Sequence, residues 1–377
     1  MKKQKICIIG NGLTGLTTAL MLGKLDLEVN LIAKLNSLNN LVDNRTTAIS
    51  PSNYEFLFRF LNKKFSKFFW PIKKIDLFHE EQGNYNQFMN FEKNGKNLMY
   101  IVKNNTLKKI IIKTMEKNKK IKVINEEVKK IDEKNSVVFL KNKQIKCDSI
   151  FLCVGRYSDL TKKLLGKRVL FDDFNETAFT TIVKHNANIT NSKQYFLKEG
   201  PMAILPFNKK EFSLVWSVNK QHDLEKIKNL IRVKLKKILN TSNSISFSKI
   251  DFFPVSFKFN TNYSKKNALV LGEGAYNVHP VAGQGFNLIL RDIKALHQSI
   301  KKYLSLGMQI KDSVILHEFM VYRKPENFIF GLGLGFVHKF FKYDKISNPI
   351  KKIILKDINS FGFLKNLSLN FSNKGIF

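Results

Sequence analysis

The sequence predicts an α/β fold: a parallel-sheet domain built from discontinuous pieces, a β-rich domain inserted into it, and a helical C-terminal region. Three observations carry this prediction. Residues 4–34 read as strand, glycine turn, helix and strand. Turn-bounded runs of β character fill residues 72–101 and 171–259. A second glycine-rich turn, Gly272–Leu288 (GEGAYNVHPVAGQGFNL), follows a late apolar run and opens another helix.

The first element is Lys5–Ile9 (KICII), a short apolar run suited to a parallel strand buried on both faces. Gly10-Asn11-Gly12-Leu13-Thr14-Gly15 follows at once, then a helix over Leu16–Gly23 and a second strand over Glu28–Ile32. This is a βαβ unit with G-x-G-x-x-G at the first turn. Gly10 makes the tight turn, Gly12 lets a pyrophosphate approach the backbone, and Gly15 lets helix and strand pack closely. Phosphates would then sit at the positive end of the helix. The plainer alternative is a glycine-rich turn with no ligand. The second strand ends in Leu31-Ile32-Ala33-Lys34, so the acidic residue that usually holds a ribose is missing.

Pro51 opens a helix over residues 51–62, with Ser50 at its N-cap. Just before it stands Arg45, one of only seven arginines in a chain rich in lysine. Its planar fork suits a phosphate or a stacked ring, and an ion pair with Asp43 is the alternative. Residues 72–101 alternate, with turns at Gln82-Gly83 and Asn94-Gly95. Leu107–Asn118 is an amphipathic helix. Lys122–Val128, Val137–Leu140 and Ile150–Val154 are strands. Thr177–Lys184, Ser192–Leu197, Met202–Pro206 and Phe212–Ser217 form a second β-rich stretch, followed by a helix over Asp223–Leu239. Ala268–Leu271 is a buried strand, and Phe286–Ile300 a helix. The expected domains are 1–71, 102–170 and 260–330 for nucleotide binding, 72–101 and 171–259 for substrate, and 331–377 as a C-terminal helical region.

Composition narrows the function. The 377 residues carry a formal net charge of +34. The lysines are spread along the chain rather than clustered, which reads first as compositional drift and argues against a nucleic-acid-binding face. Diffuse positive charge still attracts an anionic membrane surface. Cys7, Cys147 and Cys153 are odd in number and lie in apolar runs, which argues for a reducing, cytoplasmic compartment and against a disulfide or zinc framework. The basic and then apolar N-terminus is explained by the glycine-interrupted strand–turn–helix rather than by a secretion signal. No run is long enough to span a bilayer.

Several segments, in order, resemble the flavin-dependent aromatic-ring hydroxylases of ubiquinone biosynthesis, within the para-hydroxybenzoate hydroxylase class. Gly10–Gly15 is similar to the family's adenosine-pyrophosphate loop, and Asp43-x-Arg45 to its D-x-R. Tyr100–Leu107 (YIVKNNTL) resembles a segment that opens a helix beside the flavin. Cys153–Ser158 stands where the family has D-G. Glu199–Phe207 (EGPMAILPF) resembles a substrate-domain signature, Gly272–Leu288 the second flavin motif, and Tyr322–Asn327 (YRKPEN) the start of the C-terminal region. The sequence departs from the family at Ala33, at Val154 for the Asp of D-G, at Glu273 for Asp, and at Tyr276 for His.

The resemblance implies a Rossmann-like FAD-binding domain. FAD would be held by Gly10, Asn11, Gly12, Leu13, Thr14, Gly15, Arg45, Gly272, Glu273, Ala282, Gly283, Gln284, Gly285, Phe286 and Asn287. NADH or NADPH is the implied reductant. His279 and Pro280 would line the face where substrate and molecular oxygen meet. The implied reaction is hydroxylation of a polyprenylated phenol or quinone precursor through a flavin C4a-hydroperoxide. The other histidines, His79, His185, His222, His297, His317 and His338, look isolated. The apolar stretch Phe328–Phe341 suits docking on lipid, on other quinone-biosynthesis proteins, or on the nucleotide domain itself, with the protein peripheral on the inner face of the membrane. The alternative function is a catalytically degenerate flavin- or lipid-binding scaffold subunit.

Overall fold

Strands apolar at every position need cover on both faces, and the N-terminal strands receive it. A computed structural model describes residues 3–34, 43–166, 168–187, 189–219, 224–240, 245–279 and 283–342, with 370, 373 and 375. The expected site residues Pro280 and Ala282, His222, and most of the C-terminal region beyond 342 lie outside the described residues. The central sheet runs in the order Ser264–Lys265, Ala268–Val270, Ser149–Leu152, Gln4–Ile9, Leu27–Ile32, Ile121–Ile124. Its pairings are parallel except at the Ser264–Lys265 edge. Helix Leu13–Leu22 packs against helices Asn104–Met115 and Gly285–Ser305. It begins three residues before the sequence places it, because Leu13 and Thr14 already follow the helical path behind Gly12.

The two separated β-rich stretches join one large sheet. Its order is Tyr276–Asn277, Asp251–Asn260, Val169–Lys184, Glu211–Asn219, Gly200–Pro206, Ser192–Leu197, Lys74–Glu81, Asn84–Glu92. Asp251–Asn260 (DFFPVSFKFN) has no counterpart in the sequence-based reading, because Pro254 interrupts its pattern. Val169–Lys184 carries a bulge between Asp173 and Glu176, with Asn175 at φ +54°. A bulge of this kind turns the following side chain to a new direction.

Alternation then sorts the sheet into two faces. Phe179, Met202, Ile204, Leu214 and Trp216 pack with helix Leu224–Leu239 on one side. Glu176, Ala178, Thr180, Ala203, Val215 and Asn219 fall on the other side by register. Leu205 on that second face joins a small core with Ala48, Ile72, Met99 and Ile101. That core belongs to a three-stranded sheet, Thr46–Ile49, Met99–Lys103 and Trp70–Ile72. The second face therefore packs toward the small three-stranded sheet.

A 30-residue helix, Ser313–Lys342, runs straight through Pro325. A buried polar hub anchors it. Asp292 accepts hydrogen bonds from Tyr276 Oη (2.5 Å), Arg323 Nε (2.7 Å) and Asn327 Nδ2 (3.0 Å). Arg323 also pairs with Glu326. Burial and then the Asp292 charge push the Tyr276 hydroxyl well above its ordinary pKa, so it stays a neutral donor. The YRKPEN segment and the Tyr276 departure thus belong to one structural device. Replacing Arg323 with Met leaves Asp292 buried without its cation and Glu326 with Arg291 alone. Urea unfolding of R323M is expected to show a loss of about 3–5 kcal/mol.

Candidate active site

The two glycine motifs meet. Gly10 has φ +138°, and a Cβ there would lie 2.2 Å from the Cys153 carbonyl oxygen. A Cβ on Gly15 would lie 2.3 Å from the Gly10 oxygen. Both positions are glycine because neighbouring backbone occupies the space. Gly12 differs: among the described residues nothing lies within 4 Å of its would-be Cβ. Gly272, at φ +75°, would place a Cβ 2.9 Å from Thr14 Oγ1. The second motif therefore rests directly on the first. Gly283, at φ +63°, abuts Ala48, while Gly285 again faces open space.

Helices Leu13–Leu22 and Gly285–Ser305 both begin without a side-chain cap. Each leaves free backbone N–H groups beside a glycine that nothing among the described residues crowds. Gln284 is buried, and its Oε1 has no hydrogen-bond partner among the described residues. Two positive helix ends, open space at the Gly12 and Gly285 α-carbons among the described residues, and an orphaned buried amide fit an extended phosphorylated ligand with a polar ring edge.

Neighbouring site residues support this cradle. Asn11 Nδ2 donates to the Lys34 carbonyl (3.4 Å), and Thr14 O accepts from Thr18 Oγ1 (2.7 Å). Leu13 and Phe286 pack against the core at half-buried positions. Asn287 is committed to structure. Its Nδ2 donates to Ala48 O (2.9 Å), and its Oδ1 accepts from Ser50 N (2.8 Å) and Asn53 Nδ2 (3.0 Å). It pins the Thr46–Ile49 strand beside the second motif. Cys153, beneath the first loop, is inert, because burial pushes its thiol up to about 12.

Arg45 makes the ion pair and the ring contact that its fork allows. Nε and Nη2 donate to the two Asp43 oxygens (2.8 and 2.9 Å), and the guanidinium lies 5.2 Å from the Phe253 ring centroid. Burial raises the Asp43 carboxyl, but the Arg45 hydrogen bond and charge outweigh it, and the net shift is downward. Glu273 is half-exposed, 3.7 Å from Arg156 Nε. Beyond Ala33, Lys34 pairs with Glu127 at 2.9 Å, so the neighbouring strand's loop supplies the carboxylate found at this corner.

His279 lies in a buried cluster that sequence spacing does not reveal. Its Nε2 is 3.3 Å from Glu176 Oε2. Its ring stacks on His338, with centroids 4.0 Å apart and planes at 21°. His338 Nε2 is 3.0 Å from Glu176 Oε1. Phe174 meets both imidazoles edge-on. His338 therefore corrects the reading of an isolated residue: the long C-terminal helix carries it to the second motif. Glu176 was also missed, and the Asp173–Glu176 bulge that turns it inward has no signature in the sequence.

Comparison with known proteins agrees with this geometry. The family described as "FAD binding domain" matches residues 3–306. The chain is 25% identical to the ubiquinone biosynthesis monooxygenase COQ6 of Dictyostelium discoideum, over 97% of this chain and 90% of that protein. It is 27% identical to the ubiquinone hydroxylase UbiL of Rhodospirillum rubrum, over 46% of this chain and 42% of that protein. In structure it resembles p-nitrophenol 4-monooxygenase PnpA of Pseudomonas putida DLL-E4, with a TM-score of 0.83 over 100% of both chains at 16% identity.

The space above Gly12 gives a discriminating expectation. G12A should fold with less than about 1 kcal/mol lost, because only the cap preference changes. Its FAD affinity, read by flavin fluorescence, should fall at least about tenfold, roughly 1.4 kcal/mol. G10A should instead lose stability itself.

Proposed function

The chain belongs to the FAD-binding-domain family, and we propose that it hydroxylates the aromatic ring of a polyprenylated phenol or quinone precursor in ubiquinone biosynthesis. The observation that carries this reading is the contact of Gly272 with Thr14 beneath a sheet face of small residues. When bound, FAD supplies reduction by NADH or NADPH and the activation of molecular oxygen. The protein's own work is placement. The helix starting at Gly285 presents N–H groups and its positive end to charge on the ring. Gly10–Gly15 receives the pyrophosphate, and Arg45 bounds the site from the Asp43 side. The second face of the large sheet holds the substrate ring and excludes water.

No helix among the described residues is long and apolar enough to cross a membrane. Helix Ser313–Lys342 nevertheless exposes Val321, Tyr322, Pro325, Ile329, Leu332 and Phe336. At 3.6 residues per turn they form one stripe roughly 100° wide. A strongly cationic chain with such a stripe suits a peripheral position on an anionic membrane surface, where a prenylated substrate resides. On this reading the protein sits on the inner face of the membrane, from the cytoplasmic side.

The Ala33 and Val154 departures favour a second reading, a flavin-binding scaffold without turnover. Purified protein should carry FAD, oxidise NADH or NADPH in the presence of a short-chain prenylphenol, and yield a product with one added oxygen. Bound flavin without oxygen insertion would support the scaffold, and no flavin uptake at micromolar FAD would reject the hydroxylase and leave only a lipid-binding scaffold. The L332D/F336D variant should sediment with anionic vesicles at least about 100-fold less than wild type, given ~1.5–3 kcal/mol for each of two buried large side chains. Equal sedimentation would reject this docking face.

A further inference from the structure

We propose that His338, backed by Glu176, is the base that takes the phenolic proton of the substrate. This rests on the hydroxylase reading above. A phenol donates electrons into its ring far better as a phenolate, so attack on an electrophilic oxygen is helped by removing that proton. In a water-excluded site the acceptor must come from the protein.

The second face of the large sheet narrows the choice. Along Glu176–Thr180, Pro201–Leu205 and Ser213–Asn219, register puts Glu176 on the inner face with only apolar, Ser, Thr or Asn positions beside it. Glu176 is the one ionisable group on that stretch, and it stands at the end of a bulge. Bulges that re-aim a side chain are over-represented beside active sites.

A cavity of about 20 Å3 opens here, lined by Glu176, His338, Asn219 and the Phe196–Pro201 turn. It has room for one water or one hydroxyl group. The turn includes the start of the EGPMAILPF signature. His338 is buried; its Nε2 faces the Glu176 carboxylate, and its Nδ1 has no hydrogen-bond partner among the described residues. An unsatisfied buried imidazole is costly unless something polar enters beside it. Stacking on His279 and the edge of Phe174 hold the ring at the cavity wall.

The step balances simply. The phenolic O–H bond breaks and its electron pair stays on oxygen. The proton goes to His338 Nδ1, and the Glu176 carboxylate 3.0 Å from Nε2 offsets the new imidazolium. Nothing is oxidised. The other charged or titratable groups around His338 are His279, stacked on it, and Lys339, paired with Asp172 (2.8 Å) and set over the Phe174 ring. Lys198 and Glu199 belong to the cavity wall, and Glu199 pairs with Lys234 (3.1 Å).

The test uses flavin-loaded enzyme without reductant and a geranylated 4-hydroxyacetophenone, whose phenolate absorbs at longer wavelength than its phenol. Wild type is expected to bind the probe as phenolate at a pH where the free probe is un-ionised. H338Q, which keeps a polar group of similar reach, should bind it within about threefold but as the phenol. Its turnover should fall about 100-fold and recover as rising pH ionises the substrate directly. E176Q, nearly isosteric, provides a second variant and should show partial ionisation. Flavin-loaded wild type that fails to bind the probe or leaves it un-ionised, or an H338Q that ionises it equally, overturns the assignment. Loss of flavin from wild type would instead overturn the hydroxylase reading itself.

Discussion

The structure depends on a single steric contact, Gly272 against Thr14. It is possible because of strand order. Ala268–Val270 and Gln4–Ile9 flank Ser149–Leu152 in parallel, so the loops that follow all three leave the sheet at one end. The Cys153 carbonyl fills the space between them and forces Gly10. Crossover connections bring segments distant in the chain to the carboxyl edge of one sheet, where open α/β folds bind their ligands. Any side chain at Gly10, Gly15 or Gly272 would push these loops apart.

Above that edge lies a surface with an opposite design rule. The outer face of the large sheet is filled with aromatic and aliphatic side chains under helix Leu224–Leu239. The inner face carries mainly small and polar ones, with Leu205 joining the small core around Ile72 and Ile101. A sheet can do both at once because its side chains alternate. The long C-terminal helix closes the arrangement. Its Arg323 and Asn327 lock onto Asp292, and fifteen residues beyond Arg323 the same helix delivers His338. The buried charges of the hub are compensated locally, so they set the helix's register as well as its attachment.

What the sequence reveals follows how local each cause is. G-x-G-x-x-G and the second glycine turn are legible because backbone crowding at a turn selects glycine directly. Ser192–Leu197 and Glu211–Asn219 are legible as short runs rich in apolar and β-branched or aromatic residues, buried on both faces. Asp251–Asn260 was missed because Pro254 breaks the pattern, although tertiary pairing with Val169–Lys184 accommodates it. The Ser313–Lys342 helix was only partly visible, since Pro325 and three glycines speak against it and only the Asp292 hub speaks for it. His338 looked solitary because its partners come from two other regions of the chain. Arg45 left two readings open, and the structure shows the Asp43 pair together with the Phe253 ring.

The departure at Ala33 shows how the site's grip is distributed. In the usual arrangement a carboxylate on the second strand faces a ribose directly. Here Ala33 is buried against the next strand, and the carboxylate at this corner is Glu127, already engaged by Lys34 on the surface. An exposed pair of this kind is worth little and breaks easily, so Glu127 can exchange its lysine for a hydroxyl at small cost. The gain from that exchange is correspondingly small. On the proposed reading the adenosine end would be held loosely, and most of the binding free energy would fall on a pyrophosphate at Gly12 and a ring edge at Gly285. Those are the two places where helix N–H groups are fixed before any ligand arrives, so contacts there need no reorganisation.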